Sequence, residues 1–339
     1  MPKTKAKTKA SLSPFELAKS RGFQALKVYH NMVKARVLEE RLIKMSKSED
    51  GYFWIGGPGE EAFNTNLGYL IHKGHGLDYD YMHFHYRQSA TLLALGMPMI
   101  DAIRQMNTKV TDPFSKGRNF VNHFVKNEWN VMPVTSPIET QYSIAPGTAW
   151  AQKKHGGKGI TIVTGGDAGT AEGDFATCLN FSSRPDMELP ILIIVTNNKF
   201  GISTPFEQVH GDRVIAKRAD AFGIQWDCVD GNDTVASYNA LFEAMEYVRF
   251  SRRPFCLEAH VSRLHGHSSS SGAARIQSET DCLEKFESFL ESELLVEKNE
   301  LQAIKAKYEE EALLALKQVR EEPYPDPSTI FDYTYAGEM

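Results

Sequence analysis

Between Gly159 and Arg263 the chain repeats one pattern. "GITIVT", "GDFATCLNFSS", "ILIIVT", "RVIAKRADAF", "IQWDCVDG", "TVASYNALFEAMEYVRF" and "FCLEAHVSR" read in turn as strand, helix, strand, helix, strand, helix and strand. Strands as uniformly apolar as "ILIIV" are covered on both faces, because a half-exposed strand would alternate apolar with polar. The alternation therefore predicts an α/β fold: a parallel sheet with helices on both faces. In an open sheet of this kind ligands sit beyond the carboxyl ends of the strands, where loops diverge and helix N-termini offer free N–H groups. Two strand ends carry polar residues there. "GITIVT" runs into "GGDAGTAEGDF", and "LPILIIV" runs into "TNNKFGISTP".

The rest of the chain frames this sheet. From Ser13 apolar residues recur at helical intervals behind a Ser cap, with Pro14 at the first helical position, so one or two long helices open the fold. "RQSATLLALGMPMIDAIRQM" reads as helical after the aromatic and histidine cluster "YDYMHFHYR". The stretch from Asn107 to Pro137 keeps no period, and an irregular segment of that length is more often functional than idle. "ETQYSIAPGTAWAQKK" reads as a helix of small residues, and the charged C-terminal part as a pair of surface helices. The expected layout is a flexible basic tail over 1–13, a ligand-binding domain with its N-terminal helices over 14–280, and a helical arm over 281–339.

Composition removes other classes. With 38 basic and 43 acidic side chains the net charge is −5, which leaves no basic surface for nucleic acid. No apolar run approaches the roughly 18 residues of a membrane helix. Cys178, Cys228, Cys256 and Cys282 show no metal-type spacing in the sequence, so a reducing, cytoplasmic compartment is expected.

Asp167 offers a carboxylate and Asn198 an amide oxygen, while Gly165, Gly166 and Gly169 admit a bulky anion close to the backbone. These are hard-oxygen ligands of the kind that hold Mg²⁺ between protein and phosphates. Separately, an acid at a strand–helix turn is often a helix cap, and an Asn pair is often a turn. Together, 32 positions apart from Gly166 to Asn198, they resemble the thiamine diphosphate fingerprint that runs from GD(G) to NN. Ala168 stands where the fingerprint has Gly, which is tolerable only if its φ stays negative.

From about Phe15 to Tyr335 the chain is similar to the alpha subunit of the decarboxylating component of 2-oxoacid dehydrogenase complexes. "GEEA", "HYR", "GRNFVNH", "TSPIETQ", "NNKFGISTP", "HGHS" and "PYPDPSTIF" fall in family order, and "SPIETQ" and "ISTP" are closer to the branched-chain (2-oxoisovalerate) type than to the pyruvate type. The resemblance implies Mg²⁺ ligands at Asp167, Asn198 and the Phe200 carbonyl. It implies a diphosphate lined by Tyr86, Arg87, Ser136, Ala168, Gly169 and His267, and a cofactor bent by the Ile138 carbonyl and the Ile202 side chain. It also implies a potassium site from the backbone oxygens of Thr135 and Pro137 with Thr140 and Gln141. A helix cap with Thr140 and Gln141 solvated is the alternative for that stretch. His267 is favoured over His265 for phosphate binding and proton transfer, and Glu61 and His123 are candidates to face the substrate.

Two departures besides Ala168 stand out: Thr196 replaces an arginine common in branched-chain relatives, and Ser271, Gly272 and Ala273 follow the serines where the family has an acid. Thiamine diphosphate also needs a glutamate on its pyrimidine ring, which relatives place in a second domain. This chain has one fingerprint and one sheet run. The resemblance therefore implies a separate beta subunit in a tetramer of two alphas and two betas, docked on a lipoyl-bearing acyltransferase core. The expected activity is oxidative decarboxylation of a branched-chain 2-oxoacid with acylation of lipoamide. A pyruvate or acetoin dehydrogenase, or a non-catalytic scaffold that kept the fold, are the alternatives.

Overall fold

The computed structural model describes residues 12–332, so nearly all of the expected basic tail, and the end of the family resemblance at Tyr335, lie outside them. The first helix begins as its cap predicts. Ser13 Oγ accepts from Glu16 N at 3.2 Å and Glu16 Oε2 accepts from Ser13 N at 3.1 Å, a reciprocal capping box that opens α1 (Pro14–Ser20). α2 (Ala25–Met45) and α3 (Glu61–Leu70) follow, then β1 (Tyr81–His83).

β1 corrects the sequence reading, which took its residues for part of an aromatic and histidine cluster; three residues are too few to show a period. The single helix expected next is two, α4 (Ser89–Ala94) and α5 (Met99–Met106). They are parted where Gly96 takes a φ of +105° and Pro98 supplies no N–H, which together end one helix and start another. Residues 107–137 are irregular as expected, apart from a 3₁₀ turn at Asn127–Trp129.

The alternating region holds α6 (Gln141–Lys154), β2 (Thr161–Gly166), α7 (Gly173–Ser182) and β3 (Ile191–Asn197). A small antiparallel hairpin, β4 (Phe200–Gly201) and β5 (Thr204–Pro205), and a one-turn α8 (Phe206–Val209) come next. β6 (Gln225–Asp230), α9 (Thr234–Ser251) and β7 (Phe255–His260) complete it. The helix expected over "RVIAKRADAF" is a 3₁₀ helix, Ala216–Phe222.

The five long-range strands run parallel in the order β1-β2-β3-β7-β6. Strand alternation divides their side chains between two apolar layers. Leu192 and Ile194 of β3 join Ile162, Leu257 and the helices α2, α3 and α9 on one face. Ile191, Ile193 and Val195 join Val163, Cys256, α6 and α7 on the other. This double burial is why the strands read as uninterrupted apolar runs.

α10 (Cys282–Ser292) and α11 (Lys298–Glu321) form the expected helical pair, and their Phe286, Leu301, Ile304 and Leu316 belong to the same apolar cluster as Val33 and Val37 of α2. The four cysteines are free thiols; Cys178, Cys256 and Cys282 are buried and Cys228 half-buried. Among the described residues no helix is long and apolar enough to cross a membrane.

Candidate active site

β2 and β3 pair in parallel up to Gly166 beside Thr196, so the residues just past them, Asp167 and Asn198, emerge at adjoining strand ends. Both line a cavity of about 260 Å³, together with Tyr86, Arg87, Ile138, Ala168, Gly169, Phe200, Ile202 and His267. Ten residues singled out from the sequence, spread from position 86 to 267, thus meet around one space.

Asp167 is 2% exposed, and its Oδ2 has no hydrogen-bond partner. Burial holds its carboxyl above the usual range against the pull of backbone N–H donors. A buried carboxylate oxygen left unpaired costs on the order of 1–3 kcal/mol or more, so it marks a place where a cation fits. Asn198 Oδ1 accepts from Phe200 N at 3.2 Å and keeps a second lone pair.

The loops around this pair are shaped by close packing. A Cβ at Gly165 or Gly169 would collide with the buried side chain of Glu139. Ala168 stays outside the left-handed region, in the 3₁₀ turn Ala168–Ala171, and so meets the condition its substitution for Gly imposed. Its methyl takes the room of a side chain at Gly201, where a Cβ would come within 2.5 Å of it. Ile202 has φ +57° with its side chain about half exposed at the cavity. A β-branched residue in that region is strained by roughly 1–3 kcal/mol, and such strain gathers at ligand clamps.

Arg87, 3% exposed, donates through Nη1 to the Gly56 carbonyl and through Nη2 to His267 Nδ1 at 3.1 Å. A guanidinium only donates, so Nδ1 accepts and the neutral imidazole carries its proton on Nε2. Burial first, then Arg87 and Arg263, push His267 down to about 4, so the ring is neutral at neutral pH. His265 turns the other way: its Nδ1 contacts the Ala273 carbonyl at 3.1 Å and its ring packs edge-on to Trp54. The loop after His267 is anchored without an acid. Ser269 N donates to the Trp54 carbonyl at 2.8 Å, Trp54 N donates to Ser269 Oγ at 2.9 Å, and Ser268 N donates to Ser271 Oγ at 3.0 Å.

Three polar groups here escaped the sequence reading. Glu139 is fully buried, accepts from Gly166 N at 3.0 Å, and is pushed by burial up to about 8, so it is a neutral acid at neutral pH. Glu60, 3.8 Å from Arg87 Nε, is raised by burial to about 7. Arg263 lies over the Phe200 ring at 5.1 Å, with Nε and Nη1 buried and unpaired. It supplies a cation next to the site where Thr196 does not. Thr196 is buried in the sheet and donates to the Gly165 carbonyl at 3.3 Å. Glu139 and Glu60 sit inside the quoted motifs "TSPIETQ" and "GEEA"; burial, which no motif shows, is what gives them their properties.

Glu61 is a correction. It is the first residue of α3, and its carboxylate is held by Arg36 Nε at 2.6 Å and Gly59 N at 2.8 Å, while Arg36 continues to Asp281 at 2.7 Å. The structure does not bring it to the cavity. His123 and Ser136 stand beside the cavity instead of lining it: His123 Nε2 is 2.9 Å from Ser136 Oγ, and its ring stacks on Tyr86 with centroids 6.4 Å apart. Gln141 is buried, not solvated. Its Oε1 accepts from Thr135 Oγ1 at 2.9 Å and its Nε2 donates to Glu139 and to the Thr164 carbonyl, both at 3.1 Å. Thr140 Oγ1 donates to the Pro137 carbonyl at 3.0 Å. Of the oxygens expected around potassium, Gln141 Oε1 is thus taken by the Thr135 hydroxyl and the Pro137 carbonyl by the Thr140 hydroxyl.

Residues 29–328 match the family model of the dehydrogenase E1 component. The chain is 30% identical over 325 residues to the 2-oxoisovalerate dehydrogenase subunit alpha of Bacillus subtilis (strain 168), an alignment covering 92% of this chain and 96% of that one. It is 29% identical over 321 residues to the mitochondrial subunit alpha 2 of the same enzyme from Arabidopsis thaliana, covering 92% and 66%. It is 30% identical over 253 residues to the mitochondrial subunit alpha from Dictyostelium discoideum, covering 74% and 56%. With a parallel sheet covered on both faces, paired polar strand ends and a family match over most of its length, the chain belongs to the dehydrogenase E1 component family.

Proposed function

We propose that this chain is the alpha subunit of a thiamine diphosphate-dependent 2-oxoacid dehydrogenase acting on a branched-chain substrate of the 2-oxoisovalerate type. The observation that carries the reading is the unpaired buried Oδ2 of Asp167 in the same cavity as Asn198, Arg87 and His267. The relative in Bacillus subtilis, aligned over nearly its whole length, supports the substrate class.

In this reading Asp167, Asn198 and the Phe200 carbonyl would hold Mg²⁺, and Tyr86, Arg87, Ala168, Gly169 and His267 would hold the diphosphate, with Ser136 reaching it only from beside the cavity. When bound, thiamine diphosphate supplies the carbon nucleophile and electron sink for decarboxylation. Arg87 offers a fixed positive fork for phosphate oxygens. His267, neutral with its proton on Nε2, donates a hydrogen bond or passes a proton without adding charge. Glu139, protonated at neutral pH, sits behind Gly165 and Gly169 without repelling the anion. Ile138 and Ile202 press on the cofactor from the exposed side, and His123, beside Tyr86, faces the substrate. The backbone oxygens of Thr135 and Pro137, with Thr140 and Gln141, are the candidate K⁺ site.

Among the described residues there is a single parallel sheet of this type, so the pyrimidine-binding half comes from a beta subunit. We place the chain in a tetramer of two alphas and two betas on a lipoyl-bearing acyltransferase core, with lipoamide as acyl acceptor. The free thiols support a cytoplasmic setting. Purifying the chain with and without its beta partner, and assaying 2-oxoacid decarboxylation with Mg²⁺ and thiamine diphosphate, tests this: only the assembled enzyme should turn over. A panel of 2-oxoisovalerate, pyruvate and acetoin separates the substrate classes. Calorimetry separates a scaffold, which would bind no Mg²⁺-cofactor before or after Asp167→Ala.

A further inference from the structure

A second set of ligand-type side chains lies at the far edge of the sheet. Cys228 of the edge strand β6 stands in register beside Glu258 of β7, and His260 is two residues further along β7, so strand alternation puts all three on one face. Cys228 Sγ is 3.8 Å from Glu258 Oε2, and His260 Nε2 is 3.7 Å from Glu258 Oε1. The three donor atoms all lie within 4.8 Å of one another, the one such His/Cys/Asp/Glu group among the described residues. Nothing in the spacing of the cysteines along the chain points to it, because the ligands come from different strands.

The dimensions fit a particular ion. With Zn–S near 2.3 Å and Zn–N and Zn–O near 2.0–2.1 Å, the edges of a tetrahedron are roughly 3.3–3.6 Å; the two separations, one to each Glu258 oxygen, are within a few tenths of an ångström of that, and the remaining edge, at most 4.8 Å, closes by side-chain rotation. A thiol and an imidazole beside one carboxylate suit a borderline-soft ion and not Mg²⁺ or Ca²⁺. Glu258 is fully buried and already oriented: Oε1 accepts from Asn197 Nδ2 at 2.8 Å and Oε2 from Ala216 N at 2.9 Å. Each oxygen keeps a lone pair for a metal, and the two donors are the kind of supporting shell that metal-bound carboxylates have. His260, with its side chain 39% exposed, opens onto a cavity of about 390 Å³ that it shares with Asn197 and His210 and that gives an ion its way in.

We propose that Cys228, Glu258 and His260 form a zinc-class site with three protein ligands and water in the fourth position, separate from the Asp167–Asn198 pair. Asn197 supports Glu258 and immediately precedes Asn198, so metal at the edge braces the strand end that carries the active-site amide.

The test uses the full chain, alone and with its beta partner, titrated with Co²⁺ as a spectroscopic probe and then with Zn²⁺. Expected are one equivalent of Co²⁺ with a thiolate-to-cobalt charge-transfer band, its displacement by Zn²⁺, and a rise in Tm with Zn²⁺. Cys228→Ser should abolish the band and the Tm rise and lower Zn²⁺ affinity on the order of 100-fold, and His260→Asn at least about tenfold. Cys228 is half-buried on an edge strand, so the serine variant should fold, and an unchanged metal-free Tm verifies it. Asp167→Asn should leave the band intact. Absence of a thiolate–cobalt band in the parent chain, or a band of equal strength in Cys228→Ser, overturns the proposal.

Discussion

Two buried charged clusters flank α3 and teach opposite lessons. In one, Arg36 bonds Glu61 and Asp281 at 2.6–3.1 Å, Arg275 adds a further contact to Asp281, and Asp281 also caps α10 through Leu283 N. The Arg36 and Arg275 partners hold the Asp281 carboxyl far below its usual range in spite of burial. In the other, at the sheet end, Asp167 Oδ2, Glu60 Oε1, His85 Nδ1 and two Arg263 nitrogens are buried without a hydrogen bond, Glu60 Oε1 having only the 3.8 Å ion pair with Arg87. The first cluster is closed and holds α2, α3 and α10 together. The second is left open, and its unpaired atoms mark where a ligand completes the structure.

The largest expected effect breaks the closed cluster. Arg36→Ala leaves the buried Glu61 carboxylate without its counter-ion and Asp281 with Arg275 alone, and should cost about 3–5 kcal/mol of stability by urea unfolding. Should unfolding be unchanged while activity falls, Glu61 would belong to the active site after all. Next, Asp167→Ala should reduce turnover of the assembled enzyme by roughly 100-fold or more, about 3 kcal/mol, by removing the metal carboxylate. Its Tm without cofactor should hold or rise, because an unpaired buried acid is removed; a large drop in Tm would make the open cluster a structural one.

Gly201→Ala pushes a methyl against Ala168 and should cost about 1–3 kcal/mol, read as Tm or as weakened cofactor binding. Adding Ala168→Gly should restore most of it, and a double-mutant cycle without coupling would refute the contact.

The smallest effect is a change in pH dependence. Glu139, raised to about 8, binds more protons folded than unfolded between its ordinary range and about 8. Its contribution to stability is thus complete at low pH and lost as pH rises through about 8. His267, depressed to about 4, acts in the opposite sense: its contribution is present above the ordinary histidine range and lost as pH falls toward about 4. Glu139→Gln should therefore leave stability rising more steeply with pH through the interval from its ordinary range to about 8, as denaturation curves across that interval would show. Identical curves for parent and variant would mean that Glu139 is ionised throughout.

Much of the site was legible because its residues lie next to features with a local signature. Asp167 and Asn198 follow runs of apolar β-formers, and Arg87 and His267 lie in short motifs. Glu61 was misplaced for a converse reason: in "GEEA" two adjacent acids look alike, and only α3 decides that Glu60 approaches Arg87 while Glu61 turns to Arg36. The strand β1 was missed because its order comes from pairing with β2, not from a pattern of its own.

The amino-acid order alone determined the parallel sheet, its burial on both faces and the two polar strand ends, since period and apolar content are local properties that survive without a partner. Only the tertiary structure decided which carboxyls are neutral, which atoms lack partners, and that Cys228, Glu258 and His260 converge. Proton affinity and hydrogen-bond satisfaction depend on burial and on neighbours from distant parts of the chain, and those come into being when the strands align.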